Sequence, residues 1–248
     1  MRRVGFFGGT FDPVHLGHLV PAVRAFETFR FDALVFIPAA HPPHRLGEAL
    51  TPFSHRFAMM ALATQSYDRF LVSAVEAERE GPTYTVDTLR TLSERLAVEQ
   101  PYFLMGSDSF SQIGTWHRWQ ELADLAHLVV LHRNTVWGRA LESRVPEGLR
   151  SRMESIEPFR EVADPEPGVR RIYLLEHEPF PVSATHLRER LRQGLTIHEL
   201  VPPEVHRYIV KHRLMVTPEV EVVGYGELPR SERKSQRVFD GRITDSVV

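Results

Sequence analysis

The chain contains no cysteine, which excludes disulfides, thiol nucleophiles and thiolate metal sites. No run approaches the ~18 apolar residues of a membrane span. The N-terminus does not read as a signal peptide, because Arg2 and Arg3 are followed by only a short apolar run before Gly8 and Gly9. These absences lead to the expectation of a cytoplasmic protein with no membrane partner. Neither sign of charge is in excess. Thirty Lys and Arg stand against 32 Asp and Glu, so binding of nucleic acid through bulk positive charge is not expected. The 15 glycines and 18 prolines are too few for a low-complexity chain. What remains is 248 residues, 42% hydrophobic and 25% charged, ample for one large domain or a domain with an appendage.

Hydrophobic periodicity divides the chain into alternating strands and helices. Residues 4–9 form a short apolar run ended by two glycines, the pattern of a buried strand feeding a tight turn. From residue 18 the period changes: Leu19, Ala22, Val23 and Phe26 make one helical face. Residues 33–37 read as a second strand, which completes a parallel crossover unit. The alternation predicts further helices near 52–66, 84–97 and 119–125, and strands at 70–75, 102–105 and 128–131. Residues 139–167 are polar and punctuated by proline, with room for a short helix. The last clear strand is expected at 172–175, with helices near 185–193 and 203–212. The fold class expected is α/β, a doubly wound, Rossmann-like parallel sheet with a helical C-terminal portion and a short tail. A boundary near 216 separates a catalytic domain, 1–215, from an extension, 216–248, of unassigned role. Residues 237–248 read either as an edge strand or as a poorly ordered tail.

The densest run of special residues is Gly8-Gly9-Thr10-Phe11-Asp12-Pro13-Val14-His15-Leu16-Gly17-His18. It lies between the first strand and the first helix, where open parallel sheets bind ligands. Glycines allow close backbone approach, and free N–H groups at a helix start attract anions. His15, His18 and Thr10 add donors, a set suited to polyphosphate, whose reactions need positioned donors more than a protein nucleophile. The run is neither G-x-G-x-x-G nor a Walker loop. Two alternatives remain: a glycine turn with incidental histidines, and a His-x-x-His metal pair lacking an evident third ligand.

With this run the sequence resembles the nucleotidylyltransferases that carry an H-x-G-H signature. The signature alone would also fit pantetheine-phosphate adenylyltransferases and, more distantly, class I aminoacyl-tRNA synthetases. Further segments resemble the bacterial nicotinate-nucleotide adenylyltransferases: Pro42-Pro43-His44-Arg45, with Arg where the family has Lys; Gly81-Pro82-Thr83-Tyr84-Thr85-Val86-Asp87-Thr88-Leu89; Gly106-Ser107-Asp108-Ser109 with Trp116-His117-Arg118-Trp119; and Val182-Ser183-Ala184-Thr185-His186-Leu187-Arg188, with Ala184 replacing a serine. The likeness covers about residues 1–215. Separately, residues 237–242 faintly resemble the start of Nudix ADP-ribose pyrophosphatases, without any Nudix catalytic segment.

The resemblance implies transfer of an adenylyl group from ATP to nicotinate mononucleotide in NAD biosynthesis. It implies that His15, His18, Thr10 and Arg188 are catalytic, and that Gly8, Gly9, Phe11, Gly17, Arg45, Ser183 and Thr185 hold ATP and its phosphates. Thr85, Gly106, Asp108, Trp116 and His117 would then bind the nicotinate nucleotide. Each segment also has a plainer reading: Ser183 and Asp108 as helix caps, Arg45 as a solvated loop residue, Trp116 as core. No carboxylate cluster suggests a fixed metal, so Mg²⁺ is expected to arrive with ATP. The partners expected are these two small molecules, with a homo-oligomer left open. The rivals are adenylyl transfer to pantetheine phosphate or nicotinamide mononucleotide, and a non-catalytic nucleotide sensor.

Overall fold

In the computed structural model the described residues are 2–215, apart from 46, 134–136, 164 and 167. The expected boundary at 216 and the 237–248 alternatives therefore lie outside the described residues. Seven strands form one sheet: β1 (Val4–Gly9), β2 (Ala33–Pro38), β3 (Phe70–Val72), β4 (Tyr102–Gly106), β5 (His127–Leu131), β6 (Met153–Ile156) and β7 (Ile172–Leu175). All pairings are parallel, in the order β3-β2-β1-β4-β5-β7-β6. This is the expected doubly wound sheet, and the direction of winding reverses between β1 and β4.

The two-residue period of the strands splits the core between the two faces. Phe7, Phe36, Leu104, Val129, Tyr173 and Leu175 point to one face, under α1 (Leu16–Phe29) and α2 (Phe53–Thr64). Phe6, Val35, Phe103, Val130 and Leu174 point to the other, under α3 (Thr85–Leu96). Four short helices follow: α4 (Ser107–Phe110), α5 (Trp119–Leu125), α6 (Arg139–Glu142) and α7 (Glu147–Arg150). Of these, α5, α6 and α7 bury Leu122, Leu141 and Leu149 on the α3 face. The C-terminal portion, α8 (Ala184–Arg192) and α9 (Pro203–His212), returns to the α1 face through Leu187, Val205 and Ile209. There Tyr208 Oη and His55 Nδ1 join α9 to α2 at 3.0 Å.

Three details differ from the sequence expectation. Helix α1 starts at Leu16, two residues earlier than its apolar face indicates, because the helical turn is already closed by the His18 and Leu19 N–H groups on the His15 carbonyl. Strand β3 stops at Val72, since the Ser73 hydroxyl accepts from Val75 N and turns the chain into a 3-10 segment, Val75–Glu78. Strand β6 was not expected. It is an edge strand in which only Ile156 is buried and Glu154 and Ser155 are exposed, so it has no continuous apolar run.

Candidate active site

The carboxyl ends of β1, β2 and β4 open into a cleft of 430 Å³. Its lining includes most of the positions expected from sequence: Gly8, Gly9, Thr10, Phe11 and His18 from the β1–α1 loop; Arg45 from the loop after β2; Thr85 at the start of α3; Gly106 and Asp108 after β4; Trp116 and His117 before α5; and Ser183, Thr185 and Arg188 around α8. His15 and Gly17 are not on the lining. They lie behind His18 as its support.

The β1–α1 loop is held from beneath. Its Asp12–Pro13 peptide is cis and Phe11 has a left-handed φ of 49°, while the Phe11 ring packs edge-on against Phe7 at 5.5 Å and against the His18 ring at 5.0 Å. The His15 and His18 rings pack closely, centroids 3.8 Å apart and planes tilted by 33°. Gly17 makes this possible, because a Cβ there would come within 3.0 Å of the His15 ring and 2.9 Å of Val182. His18 Nδ1 accepts from the His15 backbone N–H at 3.3 Å, so its proton sits on Nε2, free to donate. Both ring nitrogens of His15 are buried with no protein partner. Burial, followed by the charge of Arg133, lowers the His15 pKa to about 3. Burial lowers His18 as well, with added repulsion from His15 and Arg133. Both imidazoles are neutral at pH 7.

Arg188 reaches across from α8, donating to the Asp12 carbonyl at 2.7 Å and to the Thr185 hydroxyl at 3.3 Å. Its partial burial lowers its pKa, opposed by Asp12, but a guanidinium retains its charge. Ser183 caps α8, its hydroxyl accepting from His186 N at 3.2 Å, and as an acceptor there it keeps its own O–H as a donor. Arg45 is paired with Glu48 at 2.5 Å, which places it on an ion pair in the ligand-free chain. Also on the lining, the Trp116 indole packs edge-on against Phe103 and tilts toward His44 at 6.0 Å. His117 stacks on Tyr84, 4.1 Å between centroids.

Arg133 and Asp12 on the cleft lining, and Arg56 off it, escaped the sequence reading. Arg133 lies two residues beyond β5, 4.0 Å from Asp108, and its side chain would collide with a Cβ at Gly106. Its position past a strand end in a parallel sheet was the available signal. Asp12 is buried; one carboxylate oxygen accepts from Thr51 N at 3.2 Å and the other has no protein partner. Asp108 likewise keeps a buried Oδ1 without partner. Arg56, 2% exposed, donates to the carbonyls of Thr10, Ala39 and Thr51 at 2.7–2.8 Å and so ties the β1 loop to the β2 loop. Its signal was spacing: 56, 59, 60 and 63 share one buried helical face. Among the described residues no group of three or more His, Asp or Glu could hold a metal ion.

Residues 6–190 match the cytidylyltransferase-like family. A second match, to the AMP-binding enzyme C-terminal domain, spans 187–242, of which 216–242 lie outside the described residues. A protein of Pseudomonas aeruginosa named "Probable nicotinate-nucleotide adenylyltransferase" is 40% identical over 222 residues, 88% of this chain and 99% of its own. A protein of the same name from Thermomicrobium roseum is 36% identical over 219 residues, 88% and 94% of the two chains. Among solved structures, nicotinic acid mononucleotide adenylyltransferase of Plasmodium falciparum complexed with NaAD superposes with a TM-score of 0.65 at 18% identity, covering 87% of this chain and 98% of that one. That likeness concerns the fold. On the sequence matches, together with the fold they share, the chain belongs to the nicotinate-nucleotide adenylyltransferase family of nucleotidyltransferases.

Proposed function

We propose that the protein transfers an adenylyl group from ATP to nicotinate mononucleotide, giving nicotinate adenine dinucleotide and pyrophosphate. The observation that carries this reading is the division of one cleft into two kinds of surface. His18, Thr10, Ser183, Thr185 and Arg188 line it, and so do Trp116, Thr85 and His117. The first set suits a triphosphate and the second a flat ring bearing a carboxylate.

In the reaction an oxygen of the mononucleotide phosphate attacks the α-phosphorus of ATP. A new P–O bond forms as the bond to the β-phosphate bridging oxygen breaks, and that electron pair leaves with pyrophosphate. No protein nucleophile is required. His18 Nε2–H and the Arg188 guanidinium donate to the triphosphate and stabilise the charge growing on the leaving group. His15 packs beneath His18 and sets its position. Thr10, Ser183, Thr185 and the backbone at Gly8, Gly9 and Phe11 complete the phosphate cradle, with Gly17 admitting the two rings. Arg45 exchanges Glu48 for phosphate when substrate binds. Arg56 acts indirectly, by fixing the carbonyls of Thr10 and Ala39. Trp116 offers its face to the pyridine ring, backbone N–H groups at Thr85 and His117 receive the carboxylate, and Asp108 beside Gly106 accepts ribose hydroxyls. Holding two anionic substrates in line against their repulsion is much of the catalytic task.

Mg²⁺ carried by ATP would neutralise phosphate charge. Asp12 and Asp108 are on the lining, and their carboxylates are oxygen ligands of the kind that suits an ion held mainly by nucleotide phosphates. Residues 1–215 are proposed as the catalytic domain, with 216–248 an extension. Among the described residues no helix is long and apolar enough to cross a membrane, and a cytoplasmic location is proposed. The test is pyrophosphate release with ATP, Mg²⁺ and nicotinate mononucleotide. Turnover with that substrate supports the reading, and binding of ATP without turnover refutes it.

A further inference from the structure

On the first turn of α3, beside the surface assigned above to the pyridine carboxylate, stands a carboxylate belonging to the protein. Asp87 is the third residue of α3, and the side chain of Arg118 grips it in an ion pair. The same guanidinium donates through Nε to His117 Nε2 at 3.1 Å and lies 3.5 Å from Glu121, which is itself paired with Arg90. Arg118 adopts a left-handed backbone, φ 49°, at the residue before α5. That turn brings its side chain back onto α3, under the His117 ring stacked on Tyr84. Arg118 is not on the cleft lining, whereas Tyr84, Thr85 and His117 are.

We infer that Arg118 is a positioning and specificity-determining residue, which lets the cleft accept a ring bearing a carboxylate rather than its neutral amide. This rests on the proposed function. A helix start attracts one anion, and Asp87 already occupies that field. A second carboxylate brought to Thr85 and His117 would be repelled by Asp87 unless a cation cancels it, and Arg118 supplies that cation at contact distance. It also fixes the His117 tautomer, since Nε2 accepts from Arg118 and the proton is therefore on Nδ1. A neutral carboxamide gains nothing from the cancellation. The ion pair thus discriminates between two substrates that differ by one charge.

The test measures kcat/KM for nicotinate and nicotinamide mononucleotides, at saturating ATP, in the full-length wild type, Arg118→Met and the Asp87→Asn/Arg118→Met double variant. Arg118→Met is expected to lose about tenfold for the acid while the amide stays within about twofold. Removing the stranded carboxylate in the double variant is expected to restore the acid. An unchanged preference in Arg118→Met, an equal fall with both substrates, or no recovery in the double variant would overturn the inference. A merely structural role would lower both substrates together and also raise KM for ATP. A wild type that prefers the amide would overturn the substrate reading itself, and the inference with it, so the two failures are told apart by the wild-type ratio.

Discussion

At the scale of single residues, the proposed site is a set of donors that are neutral, like His15 and His18, or paired, like Arg45. His18→Ala removes the Nε2 donor and is expected to lower kcat by about 10², the size measured for loss of one preorganised donor elsewhere. Circular dichroism should show the fold retained, and near-normal turnover would take His18 out of the mechanism. Trp116→Ala is expected to raise KM for the mononucleotide more than KM for ATP, and an equal effect on both would make the indole purely structural. The buried histidines also set a pH dependence of stability. The His15 pKa is lowered from 6.5 to about 3, so between these values the unfolded chain binds the additional proton. The stability this represents is fully present above pH 6.5 and is lost as pH falls toward 3. At pH 5 the loss amounts to about 2 kcal/mol for His15 alone. His127, buried against Tyr102 and lowered to about 4, adds a loss of the same sign. Urea unfolding at pH 7.5 and pH 5 should show the fall, and His15→Asn should flatten it. The motif residues themselves were legible in the sequence because H-x-G-H between a strand and a helix has few other uses. The division of labour between the two histidines was not legible, since only packing shows that His18 faces the cleft while His15 supports it.

At the scale of elements, loop positions depend on side chains that never meet substrate. Arg56 holds three carbonyls from two loops. Arg56→Met leaves all three unsatisfied in the interior and is expected to cost about 3 kcal/mol in urea unfolding. Since Thr10 and Ala39 are among the carbonyls released, turnover at a permissive temperature should also fall. A variant as stable and as active as the parent would remove Arg56 from the account. Period and turn signals made most elements readable: β1, α1, β2, α3 and β5 each have an uninterrupted apolar face. The exceptions have physical causes. The edge strand β6 buries too little to show a pattern, and the early end of β3 follows from the bond between the Ser73 hydroxyl and Val75 N.

At the scale of the whole molecule, the sheet order places the β1 and β4 carboxyl ends side by side, and parts far apart in sequence meet there. Arg188 bonds the Asp12 carbonyl across 176 positions, and Arg118 meets α3 across 31. Sequence alone read the parallel sheet and most of the residues that line the cleft. The residues added by the structure, Asp12, Arg56 and Arg133, share one property: apart from the Thr51 carbonyl beside Arg56, the partners named above are backbone atoms or charges distant in sequence. No local pattern encodes such a contact, although the spacing of Arg56 and the strand-end position of Arg133 leave traces of it.

The central claim is that one cleft joins an adenylyl donor to a mononucleotide whose ring carries a carboxylate. Its most direct test is the rate of pyrophosphate release with ATP and Mg²⁺, measured side by side with nicotinate mononucleotide, nicotinamide mononucleotide and phosphopantetheine. The account predicts strong preference for the nicotinate substrate. Preference for either of the others would keep the transfer chemistry but contradict the assignment of Thr85, Trp116 and His117, and no release with any of them would contradict the account as a whole.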